Sequence, residues 1–125
     1  MIIDDKIFQT FVDHYLVALL WSSHVVDESN KNQQADEYDT SPELVQKAEQ
    51  DCHQFIDAAR GCLLLLPDDY TIEQAGHDFA LTRNGHGAGF FDRDLGDLGD
   101  RLTEYADRAG QADLYIGDDG LLYQE

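Results

Sequence analysis

Basic residues are scarce in this chain of 125. Eight Lys and Arg stand against 26 Asp and Glu, for a formal net charge of −18. Such a surface is repelled by the phosphates of nucleic acid or of an anionic membrane over a Debye length, so neither is expected as a direct partner. Long apolar runs are also missing. No segment approaches the ~18 residues of a membrane span, and no basic stretch leads an apolar segment at the N-terminus. A soluble protein of the cytoplasm is expected. Cysteine is limited to Cys52 and Cys62, whose spacing is neither a CxxC pair nor a zinc motif, nor the density of a disulfide scaffold. Both are expected as reduced, buried thiols.

What is present suffices for a fold. Hydrophobic residues make up 42% and aromatics 10%, too many for a disordered acidic tail, and the length suits a single domain over residues 1–125. Ile7, Phe8, Phe11, Val12, Tyr15, Leu16, Leu19 and Leu20 recur at helical spacing from Asp4 to about Val26. The stretch from Val17 to Trp21, apolar nearly all round, is expected to be deeply buried. Residues 27–40 are polar and read as a surface loop. Ser41-Pro42 opens a second helix, with Thr40 as the alternative cap. Its stripe runs through Leu44, Ala48, Cys52, Phe55 and Ala59, and Gly61 is expected to close it. The two helices are expected to pack antiparallel. Thr71-x-x-Gln74 starts a short helix ending at Gly76. Residues 77–83 and 89–93 then read as strands joined through Asn84-Gly85, a strong hairpin signal. A helix over 97–109 and a second hairpin around Asp118-Asp119-Gly120 complete the chain. The class is α+β, with two long N-terminal helices, a short helix, then hairpin, helix and hairpin forming a small antiparallel sheet.

The string GHDFALTRNGHGAGFFDR at 76–93, with DLGDRLTEYADRAGQADLYIGDDGLLY after it and YLVALLWS and SPELVQKAEQDCHQFI before it, resembles a family of small acidic proteins encoded by bacteriophages and related mobile elements. The shared core is HDFxLTRNGHGAGFxDR. Members often carry Trp where this chain has Ala80 and Phe91. The resemblance implies a phage accessory protein in the cytoplasm of a host bacterium, with no known activity.

The densest polar chemistry lies in this string. His77, Asp78, Asn84, Gly85, His86, Gly87, Gly89 and Arg93 are read as a structural hairpin motif, its glycines holding conformations other residues avoid. An alternative is a small enzyme or metal-dependent site at His77, His86 and Asp92, since imidazole and carboxylate suit divalent ions. The spacing matches no zinc motif, the glycines form neither GxGxxG nor GxxxxGK[ST], and there is no GxSxG elbow. No cofactor, metal or catalytic residue is therefore assigned.

Charge is the remaining signal. It is spread along the chain, 12 acids against four bases in residues 1–62 and 14 against four in 63–125. Carboxylates on a rigid surface can imitate a phosphate ladder and occupy the cleft of a nucleic-acid-binding protein. The function expected is a non-enzymatic accessory protein that binds a basic host or phage protein, as a nucleic-acid mimic that antagonises a defence or DNA-processing system. Candidate contacts are Asp27, Glu28, Asp36, Glu37 and Asp39 in the loop, and Asp92, Asp94, Asp97 and Asp100 at the third long helix. A structural or assembly protein using Tyr38, Tyr70 or Phe91 is the further alternative.

Overall fold

The computed structural model describes residues 3–125. Its first helix, α1 (Asp5–Ser22), is capped by Asp4, whose carboxylate accepts from the Ile7 amide at 2.8 Å. The helix stops at Ser22, and the chain turns into β1 (His24–Val26), which pairs antiparallel with β2 (Asn32–Gln34). The polar segment expected as a loop therefore holds a strand and a 3₁₀ turn over Ala35–Glu37. Ser41 caps α2 (Pro42–Leu63), accepting from the Leu44 amide. Gly61 does not end α2. Helical bonds run on to Leu63, and Pro67 lies just beyond the turn that follows.

The largest correction concerns residues 77–83. Thr71 caps a helix as expected, but α3 (Ile72–Arg83) passes through Gly76 and continues for seven more residues. No strand forms at 77–83 or 89–93; Phe90–Asp92 is a 3₁₀ turn instead. Two features hid the helix. Residues 78–83 are all buried, so α3 lacks the polar face that betrays a helix. Asn84-Gly85, read as a hairpin turn, is a helix terminus. The Gly85 amide bonds the Thr82 carbonyl and the His86 amide bonds that of Leu81, a Schellman motif with Gly85 at φ +68°.

After the 3₁₀ turn come α4 (Asp97–Arg108) and an antiparallel hairpin, β3 (Leu114–Ile116) with β4 (Leu122–Gln124). The class is α+β, with four helices and two separate two-stranded sheets, rather than one, among the described residues. Thr40 bridges Leu122 of β4, tying the segment before α2 to the C-terminal hairpin.

α3 is the centre of the molecule. It packs most closely on α1, and an ideal Cβ on Gly76 would lie 2.3 Å from the Phe11 carbonyl oxygen. α2 lies across α1 in the opposite sense, with His53 beside Phe8 and Arg60 near Asp4. Between the helices an aromatic column fills the core: Phe90 stacks on Phe55 (5.7 Å between centroids), Phe55 on Phe79 (4.2 Å) and Phe79 on Tyr15 (5.1 Å). Cys52 and Cys62 are buried free thiols. Val17 and Trp21 are not buried. They are 64% and 58% exposed, because α1 buries Phe11, Val12, Tyr15, Ala18 and Leu19 on one side and the described residues leave the other largely open. Among the described residues no helix is long and apolar enough to cross a membrane.

Candidate functional site

Two buried charges five residues apart on α3 organise everything around it. Asp78 is fully buried. Its carboxylate accepts from Arg93 (Nη2 at 3.0 Å, with Nε also donating), from Gln74 Nε2 at 2.9 Å and from the Tyr70 hydroxyl. These bonds tie the segment before α3, and the return loop after it, back to the helix. Arg83 is the second charge. It donates through Nη1 to the Asp51 carboxylate (2.8 Å) and the Tyr15 hydroxyl (2.9 Å), through Nη2 to the Ala109 carbonyl (2.9 Å) and through Nε to that of Gly110 (2.8 Å). One guanidinium thus joins α1, α2, α3 and the end of α4. Lys47 and Gln124 complete the shell of Asp51.

The rest of the glycine-rich string serves the same packing. Asn84 holds the chain beyond α4 through a pair of bonds to Ala112, donating to its carbonyl and accepting from its amide. Thr82 Oγ1 accepts from the Phe90 amide. Gly89 has φ +132°, and a Cβ there would lie 2.1 Å from that oxygen. Gly87 also has positive φ, +72°. The residues grouped as a hairpin motif are therefore placed along a helix, its cap and a return loop. His86 is exposed. His77 stands on α3 with Nδ1 3.6 Å from Asp78 Oδ1 and without a hydrogen bond.

His77, His86 and Asp92 fall on α3, on the loop after it and on the 3₁₀ turn, rather than on paired strands. Among the described residues no three His, Cys, Asp or Glu side chains are grouped so as to hold a metal ion. Of the aromatics considered for an interface, Tyr70 is buried against Asp78, Tyr38 is half-buried and Phe91 is exposed.

Burial governs the phenols. It pushes the Tyr15 hydroxyl well above its ordinary value of 10.0, with Arg83 opposing, and it raises Tyr70 further still, helped by the Asp78 carboxylate. A phenol whose folded pKa exceeds its unfolded one contributes stability that is present below the unfolded value and is lost as pH rises above it. Tyrosinate absorbance at about pH 11 is therefore expected to lack these two groups in the native protein. Adding urea at that pH is expected to release both together with the Tyr123 hydroxyl, which its bond to Asp119 also keeps largely protonated, and a Tyr15→Phe, Tyr70→Phe chain to show a much smaller step. Ionisation of all six tyrosines before unfolding would contradict the buried placement.

The expected contact acids are scattered. Asp36, Glu37 and Asp39 are exposed between β2 and α2, and Asp92, Asp94, Asp97 and Asp100 are exposed from the 3₁₀ turn into the first turn of α4. Asp27 is committed to its own turn: bonds from the Lys31 amide, the Gln33 side chain and the Ser29 amide hold its carboxyl below the usual range. Folding does make one grouping that sequence reasoning missed. The tips of the two hairpins face each other across an open cleft of about 510 Å³, placing Asp27 and Glu28 opposite Asp118 and Asp119. Asp119 accepts from Tyr123, whose hydroxyl is pushed up to about 12 by that bond. The role of Asp51 was likewise missed, since nothing in sequence pairs it with Arg83. No family model, curated protein or solved structure matches the chain.

Proposed function

We propose that the chain is a non-enzymatic accessory protein, set in a bacteriophage or related mobile element, that binds a basic nucleic-acid-binding protein through its acidic surface in the manner of a nucleic-acid mimic. One observation carries this reading. The chain has 26 carboxylates, and among the described residues only those of Asp51, Asp57, Asp78 and Glu104 lie within ion-pair distance of a cationic side chain or a histidine. Five of the eight Lys and Arg are already engaged in those pairs. The other carboxylates therefore act outward, giving a field that steers a cationic partner and speeds its association. The internal engagement of Asp78, Arg83, Asn84 and Arg93 favours a packing role for the glycine-rich string over chemistry on a substrate.

The test is capture from bacterial lysate on the immobilised chain. A basic protein is expected to be retained at low salt, shed at moderate salt and displaced by duplex DNA. Replacing Asp94, Asp97 and Asp100 by Asn is expected to slow its association several-fold, with a shallower salt dependence. A captured protein indifferent to salt, to DNA and to these substitutions would rule out mimicry.

A further inference from the structure

We propose that the outward face of α1 around Trp21 docks a cationic amphipathic segment of the partner, an apolar side chain packing on the indole while Lys or Arg side chains meet the nearby carboxylates. This rests on the reading of the chain as a binder of basic proteins and supplies the apolar anchor that charge alone lacks.

Trp21 is the chain's only tryptophan. It lies one turn beyond Val17 on α1, so two large, mostly exposed apolar groups form one strip at i, i+4 spacing. Single exposed apolar residues are ordinary on a protein surface, but adjacent ones facing outward form a patch. The indole has a ring neighbour. Its ring lies 6.4 Å, centroid to centroid, from that of His77 on α3, at 32° between planes. The neighbouring ring extends the surface on which a partner can pack, and tryptophan is enriched among residues that dominate interface energies.

Charge selects the occupant. Asp13 continues the ridge one turn before Val17 and is exposed, and Glu73 stands one turn before His77 on α3. A second copy would bring another −18 to this face and is repelled. A purely apolar partner would gain nothing from the carboxylates. A segment with an apolar stripe and basic flanks satisfies both, and its cations can also stack on the indole face.

The single tryptophan supplies the readout. The probes are two synthetic peptides of identical Leu and Lys content, one with Leu at helical spacing and one scrambled so that no apolar face forms. The amphipathic peptide is expected to shift Trp21 emission to the blue and to bind about tenfold or more tightly than the scrambled one. Labelled-peptide anisotropy is expected to show that preference lost in Trp21→Ser. It should be kept in Leu65→Ser, which removes a 69% exposed apolar group beyond α2. Both side chains lie outside the core, so far-UV circular dichroism is expected to match the parent chain. Equal affinity for the two peptides, or a preference that survives Trp21→Ser, overturns the docking face and leaves the acidic-surface reading standing. Binding of neither peptide overturns both. A blue shift that develops with protein concentration alone assigns the face to a second copy and overturns the proposal.

Discussion

Replacing Arg83 by methionine is expected to remove about 3–5 kcal/mol of folding stability, the cost of leaving one member of a buried ion pair alone. The whole margin of a chain this size is on the order of 10 kcal/mol. Methionine fills much of the volume but donates no hydrogen bond. The Tyr15 hydroxyl, the Ala109 and Gly110 carbonyls and the Asp51 carboxylate would all lose a partner. Lysine is not expected to rescue, because one ammonium cannot span groups that the planar guanidinium reaches from three nitrogens. Adding Asp51→Asn to Arg83→Met is expected to recover part of the loss, since the uncompensated charge is then gone.

The pH dependence of the loss identifies its source. Burial alone would raise the Asp51 carboxyl, but the bonds from Arg83, Lys47 and Gln124 outweigh it and hold the group below its ordinary value of 3.8. A depressed folded pKa contributes stability that is present above the unfolded value and is lost as pH falls through the folded one. Without Arg83 its bond and its charge no longer oppose burial, and the Asp51 carboxyl moves upward, with Lys47 and Gln124 still holding it. The gap between parent and variant in urea midpoint is therefore expected to be widest near neutrality and to narrow below about pH 4. A gap independent of pH would mean that the lost packing, and not the charge, carried the effect.

Alanine at Gly76 and alanine at Gly61 are expected to move stability in opposite directions. Glycine in a helix interior ordinarily costs about 0.5–1 kcal/mol relative to alanine, through lost backbone entropy in folding. At Gly61 in α2 an added Cβ meets nothing within 4 Å, so Gly61→Ala is expected to gain roughly that amount. At Gly76 the same methyl would lie 2.3 Å from the Phe11 carbonyl oxygen and 3.2 Å from the Tyr15 amide nitrogen. The obstacle is the backbone of α1, which cannot rotate away, so α1 and α3 must separate. Overpacking of this kind costs about 1–3 kcal/mol or more, beyond any helix-propensity gain. Thermal melts of the two variants are expected to lie on either side of the parent. A Gly76→Ala chain as stable as its parent would mean that the contact between α1 and α3 is loose.

α2, α4 and the C-terminal hairpin were legible because each carries a local signature: a cap at Ser41, an apolar stripe, Gly110 beyond α4, Gly120 in the turn. The helix at 72–83 was not. Its second half, 78–83, is buried on every side, and a stretch without a wet face carries no amphipathic period to read. Asn84-Gly85 serves a hairpin turn and a Schellman motif equally well, because both need a residue with positive φ. Which of the two forms depends on whether the preceding residues are already helical.

The sign and spread of the charge, the α+β class and the presence of a core can be read from the order of residues alone. These follow from composition and local pattern, which do not depend on what lies across the fold. Folding is what brings Asp51 to Arg83 and Asp78 to Arg93. Folding also makes Gly76 a point of helix contact and turns Trp21 outward. Each of those depends on which neighbour a side chain finds after folding, and a run that is apolar all round, as at 17–21, does not say which of its sides will be covered.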